Sequence, residues 1–223
     1  MQLHLFSSPG PSGIEHMVQA CAPLLANQPH PTVAYLPAAA VGDRWIAFTA
    51  DAFKDLAPIV PLDTDMTPSE LNQSLNHATV LYIPGGNTFL LQHRLQSHHL
   101  LPVVQQHVRA GLPLLAFSAG AVLCGPNILT TNDMNICAST TFAGLALTAF
   151  NFNVHFPSTD GMERGLRDDR MWEYHQFHTN PVLALEDDAY ITVRDTTIEL
   201  IRGTCWRFDQ GQDRRGVGIG PIV

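Results

Sequence analysis

One serine in this chain occupies a position suited to nucleophilic catalysis. In Leu114-Leu115-Ala116-Phe117-Ser118-Ala119-Gly120-Ala121 an apolar run ends at Ser118, and small residues stand two before it and on both sides of Gly120. A strand-to-helix elbow needs such residues, because larger side chains there collide with neighbouring backbone. The elbow would lift Oγ clear of the sheet and leave the Ala119 amide at a helix N-terminus, where it can receive an oxyanion. The same segment also fits a simple helix cap at Ser118, with Gly120 easing the packing. A second turn, Pro84-Gly85-Gly86-Asn87-Thr88-Phe89, follows another apolar run and precedes an apolar helix. Its glycine amides can approach a bound group closely, so Gly86 is a candidate second oxyanion donor. The alternative is a tight turn capped by Thr88.

A nucleophilic serine requires a base, and the base an orienting acid. Of the eleven histidines, His155 stands out at the end of the alternating stretch Asn151-Phe152-Asn153-Val154-His155-Phe156-Pro157, just before a proline that ends regular structure. Glu186 follows the apolar run from Val182, at a strand end where a carboxylate can meet an imidazole. His175 and His178 are spaced to share a helix face, but no spaced Cys or acidic partner completes a ligand set, so surface placement is expected and no metal is called for. The reaction sketched by these residues needs no cofactor.

Twelve basic against twenty acidic residues leave a formal net charge of −8, and Lys54 is the only lysine. Nucleic-acid grooves and anionic membrane surfaces both demand clustered positive charge, so neither is an expected partner. The one adjacent basic pair, Arg214-Arg215, lies in a Gly-rich tail that reads as a solvated end. The four cysteines show no CxxC spacing, and no stretch has the roughly 20 apolar residues of a membrane span. The opening residues lack the basic and apolar regions of a secretory signal, so a reducing, cytoplasmic setting is the expectation.

The elements that must position these residues are legible as short apolar runs: LHLF from Leu3, TVAYL from Thr32, APIVPL from Ala57, TVLYI from Thr79 and LPLLAF from Leu112. Amphipathic stretches such as residues 13–26 separate them, and the alternation implies a parallel sheet with helices on both faces. Two of these strands run into the Gly86 and Ser118 turns, which should therefore open on the same sheet edge. Beyond Gly125 the pattern loosens through residues 127–157. A polar helix over about residues 167–178 follows, then strands over residues 182–185, 189–193 and 197–201. With 223 residues and no linker or repeat, residues 1–223 read as a single domain.

The combination of PGGNTF, FSAGA, the LTTNDM run from Leu129, NVHF and the later ALED resembles the aspartyl dipeptidase family, also called peptidase E. The motifs occur in that family's order and at similar spacing, over about residues 1–202. The resemblance implies a three-layer αβα fold with a mainly parallel sheet, similar to class I glutamine amidotransferases. It also implies a Ser-His-Glu triad of Ser118, His155 and Glu186, with the oxyanion held by Gly86 and Ala119. Where the family segment resembles LPEGN this chain reads LEDDA, so Asp187 or Asp188 would substitute if the turn is shifted. Asn87 and Asp133 are candidate substrate contacts, Asp133 having a structural role as its alternative. Arg167 and Arg170 fall in a stretch resembling the family's TREQRI pattern, and either can pair with an acidic substrate or simply line a solvated helix face. Pro84 stands where the family usually has a first of three glycines.

The expected function is thus serine-type hydrolysis of small peptides, in particular dipeptides with an N-terminal aspartate, through an acyl-enzyme. Expected partners are a small peptide substrate and, at most, a second copy of the chain as a homodimer. A broader-specificity or cyanophycinase-like peptidase, or an esterase, would share the triad and differ in the pocket. A non-catalytic binding protein on the same fold would have no reason to retain all three residues.

Overall fold

The computed structural model describes residues 1–8 and 14–222. In chain order the elements are β1 (Gln2–Phe6), α1 (Glu15–Leu25), β2 (Val33–Tyr35), α2 (Arg44–Phe53), β3 (Ile59–Pro61), α3 (Pro68–Asn76), β4 (Val80–Ile83), α4 (Thr88–Ser97), α5 (Leu101–Arg109), β5 (Leu114–Phe117) and α6 (Ala119–Leu123). There follow β6 (Asn151–Asn153), α7 (Met162–His175), β7 (Val182–Leu185), β8 (Tyr190–Arg194), β9 (Thr197–Arg202), β10 (Cys205–Phe208), β11 (Arg215–Val217) and β12 (Gly220–Pro221).

The main sheet runs in the order β12-β9-β8-β1-β5-β4-β2-β3. Its five strands β1, β5, β4, β2 and β3 are mutually parallel, and β8, β9 and β12 extend it antiparallel. The central strands are apolar on both sides because each side is covered. Leu81 and Ile83 of β4 face the cluster built with Leu91, Leu95, Val104 and Val108 of α4 and α5. Val80 and Tyr82, one residue out of phase, join Met17, Cys21 and Phe53 of α1 and α2 on the other side. This is the expected three-layer αβα arrangement with a mainly parallel sheet.

A second sheet, β11-β10-β7-β6, packs beside it around Phe156, Met171, Tyr174, Ala184 and Phe208. Only β7 of these four strands stood out in the sequence. Trp206 of β10 lies in register with Ala184 of β7, an arrangement that decides which acid faces the histidine. The expected solvated tail is corrected here, because residues 205–221 form β10, β11 and β12. Arg214 pairs with Asp168 and stacks 4.8 Å from the Trp206 ring, which draws the tail against α7.

Two further expectations change. The polar helix starts at Met162 rather than near residue 167, since Gly161 and Gly165 mask its first turns in the sequence. His175 is buried instead of lying on the surface, its Nδ1 3.1 Å from the His178 carbonyl oxygen. Among the described residues no group of three His, Cys, Asp or Glu side chains is disposed to hold a metal. Among them, too, no helix is long and apolar enough to cross a membrane.

Candidate active site

β4 and β5 are adjacent and parallel, so the turns that follow them emerge together at the carboxyl edge of the sheet. Ser118 joins β5 to α6 with φ 51° and ψ −117°, a conformation that non-glycine residues rarely adopt. Such strain costs on the order of 1–3 kcal/mol and persists only where the surroundings enforce it. Here they do so at two points. The Ser118 amide donates to the Phe6 carbonyl at 2.9 Å. Gly120 packs so closely under β4 that a Cβ there would lie 2.3 Å from the Ile83 carbonyl oxygen. The small-residue requirement read from the sequence therefore has a specific steric cause.

Ser118 Oγ lies 2.9 Å from His155 Nε2, and His155 Nδ1 lies 2.5 Å from Asp187 Oδ1. His155 also has positive φ, at 54°. Its backbone is held by Ser7, a fully buried residue at the end of β1. Ser7 Oγ accepts from the His155 amide at 2.9 Å and donates to the Leu185 carbonyl at 3.0 Å. The three side chains Ser118, His155 and Asp187 thus form a relay in which neutral imidazole can take the hydroxyl proton while the carboxylate fixes the tautomer. The relay opens to solvent, with the His155 and Asp187 side chains 44% and 66% exposed.

The expected acid, Glu186, is displaced by one residue. It is buried, and its Oε1 accepts from Arg164 Nη2 and from Trp206 Nε1, each at 2.9 Å. Glu186 continues the inward alternation of β7 on the side of Ala184, toward the small sheet's core, so the next residue turns outward to the imidazole. Arg164 Nε in turn donates to the Pro157 carbonyl at 2.8 Å, so Glu186 supports the segment just beyond His155.

The two candidate oxyanion donors lie in the two turns, Ala119 next to Ser118 and Gly86 beside Gly85, where a Cβ on Gly85 would lie 2.9 Å from Ser118 Cβ. Ala119 opens α6, where its amide has no carbonyl a turn behind to bond. Gly86 has φ 144°, and a Cβ there would lie 2.2 Å from the Ala39 carbonyl oxygen, so only glycine fits this turn. Asn87 and Asp133 are placed as helix caps. Asn87 Oδ1 accepts from the Leu90 amide at 2.9 Å, and Asp133 Oδ2 accepts from the Thr88 amide at 2.7 Å and its hydroxyl at 2.6 Å. Asn87, rather than Thr88, is the N-cap of α4. Both residues secure the helix that follows the Gly86 turn.

The family model for Peptidase family S51 matches residues 4–201. This chain belongs to that family. It is 34% identical to peptidase E of Pasteurella multocida over 67% of its own length and 65% of that protein's. It is 35% identical to a Drosophila melanogaster protein named "Probable alpha-aspartyl dipeptidase" over 57% of its length and 55% of the relative's. These alignments span less than two thirds of either relative. The fold is shared more widely: the crystal structure of a peptidase from an acI-B1 Actinobacterium superposes with a TM-score of 0.71 at 15% identity, covering 99% of this chain and 96% of that one.

Within this S51 chain the two candidate arginines differ. Arg167 is partly buried, its Nη1 is 3.5 Å from Asn153 Oδ1 on the strand leading to His155, and burial pushes its guanidinium pKa down. Arg170 lies exposed on α7. Cys124, just beyond the elbow, is unsuited to be a rival nucleophile. It is fully buried, its thiol donates to the Gly120 carbonyl at 3.3 Å, and burial drives its pKa up. Sequence reasoning missed Ser7, Arg164 and Trp206. A serine closing β1 carries no local signal, because its partners lie 148 and 178 residues away.

Proposed function

We propose that this S51 member is a serine-type dipeptidase that cleaves small peptides with an N-terminal aspartate, using Ser118, His155 and Asp187. The single observation that carries the reading is the continuous chain from Ser118 Oγ through the imidazole to Asp187, mounted on a strained elbow. His155 takes the hydroxyl proton as Oγ attacks the peptide carbonyl. The oxyanion that forms faces the amides of Gly86 and Ala119. His155 then returns the proton to the departing amine, leaving an ester on Ser118. Water attacks that ester with the same imidazole as base, releasing the N-terminal residue and restoring the serine.

Aspartate selectivity is supported by the name of the Drosophila melanogaster relative and by Arg167, a partly buried cation on the helix beside the strand that leads to His155. A desolvated guanidinium gains most from a carboxylate partner. The test is Asp-Leu hydrolysis by wild type and by Ser118→Ala, with Asn-Leu, Ala-Leu and N-acetyl-Asp-Leu as comparisons. Ser118→Ala should fold normally and lose on the order of 10⁴-fold or more in rate. Full activity in that variant refutes the nucleophile, and equal rates on Asp-Leu, Asn-Leu and Ala-Leu refute the aspartate preference.

A further inference from the structure

A cavity of about 430 Å³ opens against the same two turns. The buried rings of Tyr35 and Tyr82 line it together with Phe117, and Trp45 and Phe48 of α2 border it while remaining 46% and 52% exposed. It adjoins the reacting centre on two counts. Phe117 immediately precedes Ser118, and Gly86, a candidate oxyanion donor, is itself part of the wall. Gly85, also in the wall, is so close to the elbow that a Cβ on it would lie 2.9 Å from Ser118 Cβ. A carbonyl held between Ser118 Oγ and the Gly86 amide would therefore sit at the mouth of this cavity, with a side chain a few bonds away able to enter.

The lining determines what kind of side chain that is. None of the described residues around the cavity is charged. Aromatic faces carry partial negative charge, so they repel a carboxylate and favour apolar or aromatic groups. The Thr49 hydroxyl in the wall donates to the Trp45 carbonyl at 2.7 Å, so its proton is already committed. Trp45 and Phe48 form an edge-to-face pair at 5.9 Å, about half open to water. An exposed aromatic pair bordering a cavity gains by being covered.

We infer that this cavity receives the C-terminal, departing residue of the dipeptide and selects a large apolar or aromatic side chain there. The inference rests on the dipeptidase reading above. In that reading the acidic side chain belongs to the acyl residue, and an uncharged aromatic wall offers it no partner, so the cavity falls to the other residue.

The experiment measures kcat/KM for Asp-Gly, Asp-Ala, Asp-Leu and Asp-Phe, with Phe-Ala as a reversed control, in wild type, Phe48→Ala and Trp45→Ala. Asp-Phe should exceed Asp-Gly by on the order of 10- to 100-fold, the range that burial of one large apolar side chain supports. Each aromatic variant should shrink that ratio several-fold, and the ratio is the readout because it cancels a general loss of active protein. A ratio near one, with Ser118-dependent cleavage of all Asp dipeptides, overturns this assignment and leaves the dipeptidase reading standing. Faster cleavage of Phe-Ala than of Asp-Ala, reduced by Phe48→Ala, places the cavity on the acyl side and overturns both. Absence of Ser118-dependent cleavage of every dipeptide removes the dipeptidase reading and this assignment with it.

Discussion

Replacing Asp187 and Glu186 separately distinguishes the acid that acts on the imidazole from the one that supports the scaffold. The bond from Asp187 to His155 Nδ1 is 2.5 Å long, but the carboxylate is about two-thirds exposed. A hydrogen bond to a charged group contributes about 1.5–3 kcal/mol when protected, and exposure with salt screening draws that toward about 1 kcal/mol. At roughly 1.4 kcal/mol per decade, Asp187→Ala should lower kcat/KM about 5- to 10-fold. That is well short of the roughly 10⁴-fold lost when a buried triad aspartate is replaced, because water can partly take this one's place. Glu186→Ala should behave in the opposite way. It strips a buried carboxylate from Arg164 and Trp206, and breaking a buried ion pair costs about 3–5 kcal/mol. Arg164 keeps its contact with Asp160 at 3.0 Å, so the lower end applies. For a chain of this size the melting temperature should fall on the order of 10 °C, with much of the activity kept by molecules that remain folded. The assays are Asp-Leu hydrolysis well below each variant's melting point, and thermal unfolding by circular dichroism. Loss of hydrolysis in well-folded Glu186→Ala, together with near-normal rates in Asp187→Ala, would refute the reasoning.

Ser7→Ala should leave the His155 amide without its buried acceptor, lowering stability by about 1–3 kcal/mol and the rate on the order of 10- to 100-fold through misplacement of the imidazole. Unchanged kcat in Ser7→Ala would deny Ser7 a positioning role. His4 has its pKa lowered from 6.5 to about 4 by burial and then by the Arg194 charge, so between those values the unfolded chain binds the extra proton. The stability this contributes is therefore complete above about pH 6.5 and is lost as pH falls to about 4, a change on the order of 3 kcal/mol. His4→Gln should flatten the melting temperature over that range, and an unaltered slope would exclude His4 as the source.

The parallel strands were legible because each is apolar on both faces and bounded by turns, and the elbow was legible because its steric demands are local. The acid was not. Glu186, Asp187 and Asp188 are consecutive, and nothing within LEDDA distinguishes them. What does so is Trp206, set opposite Ala184 by the pairing of β10 with β7. β10 is four residues long, has partial exposure in its middle and carries an arginine, so it lacks the pattern of a buried strand. The capping roles of Asn87 and Asp133 were hard to read for a related reason. A polar residue beside a catalytic turn reads the same in sequence whether it faces a ligand or the helix N-terminus.

The end of β1 explains how a serine and a histidine from different sheets are held at reacting distance. Phe6 and Ser7 are consecutive, and each anchors one of the pair: the Phe6 carbonyl accepts the Ser118 amide, and the Ser7 hydroxyl accepts the His155 amide. Two residues with left-handed backbone are thus fixed to one short segment, and the separation of Oγ from Nε2 depends on two adjacent hydrogen bonds more than on the packing between sheets. Ser7 extends the same anchor to β7 through the Leu185 carbonyl, two residues before Asp187. All three members of the relay therefore refer to one point in the fold. A rearrangement of the small sheet would have to break the buried Ser7 bonds before it changed the separation of Ser118 Oγ from His155 Nε2.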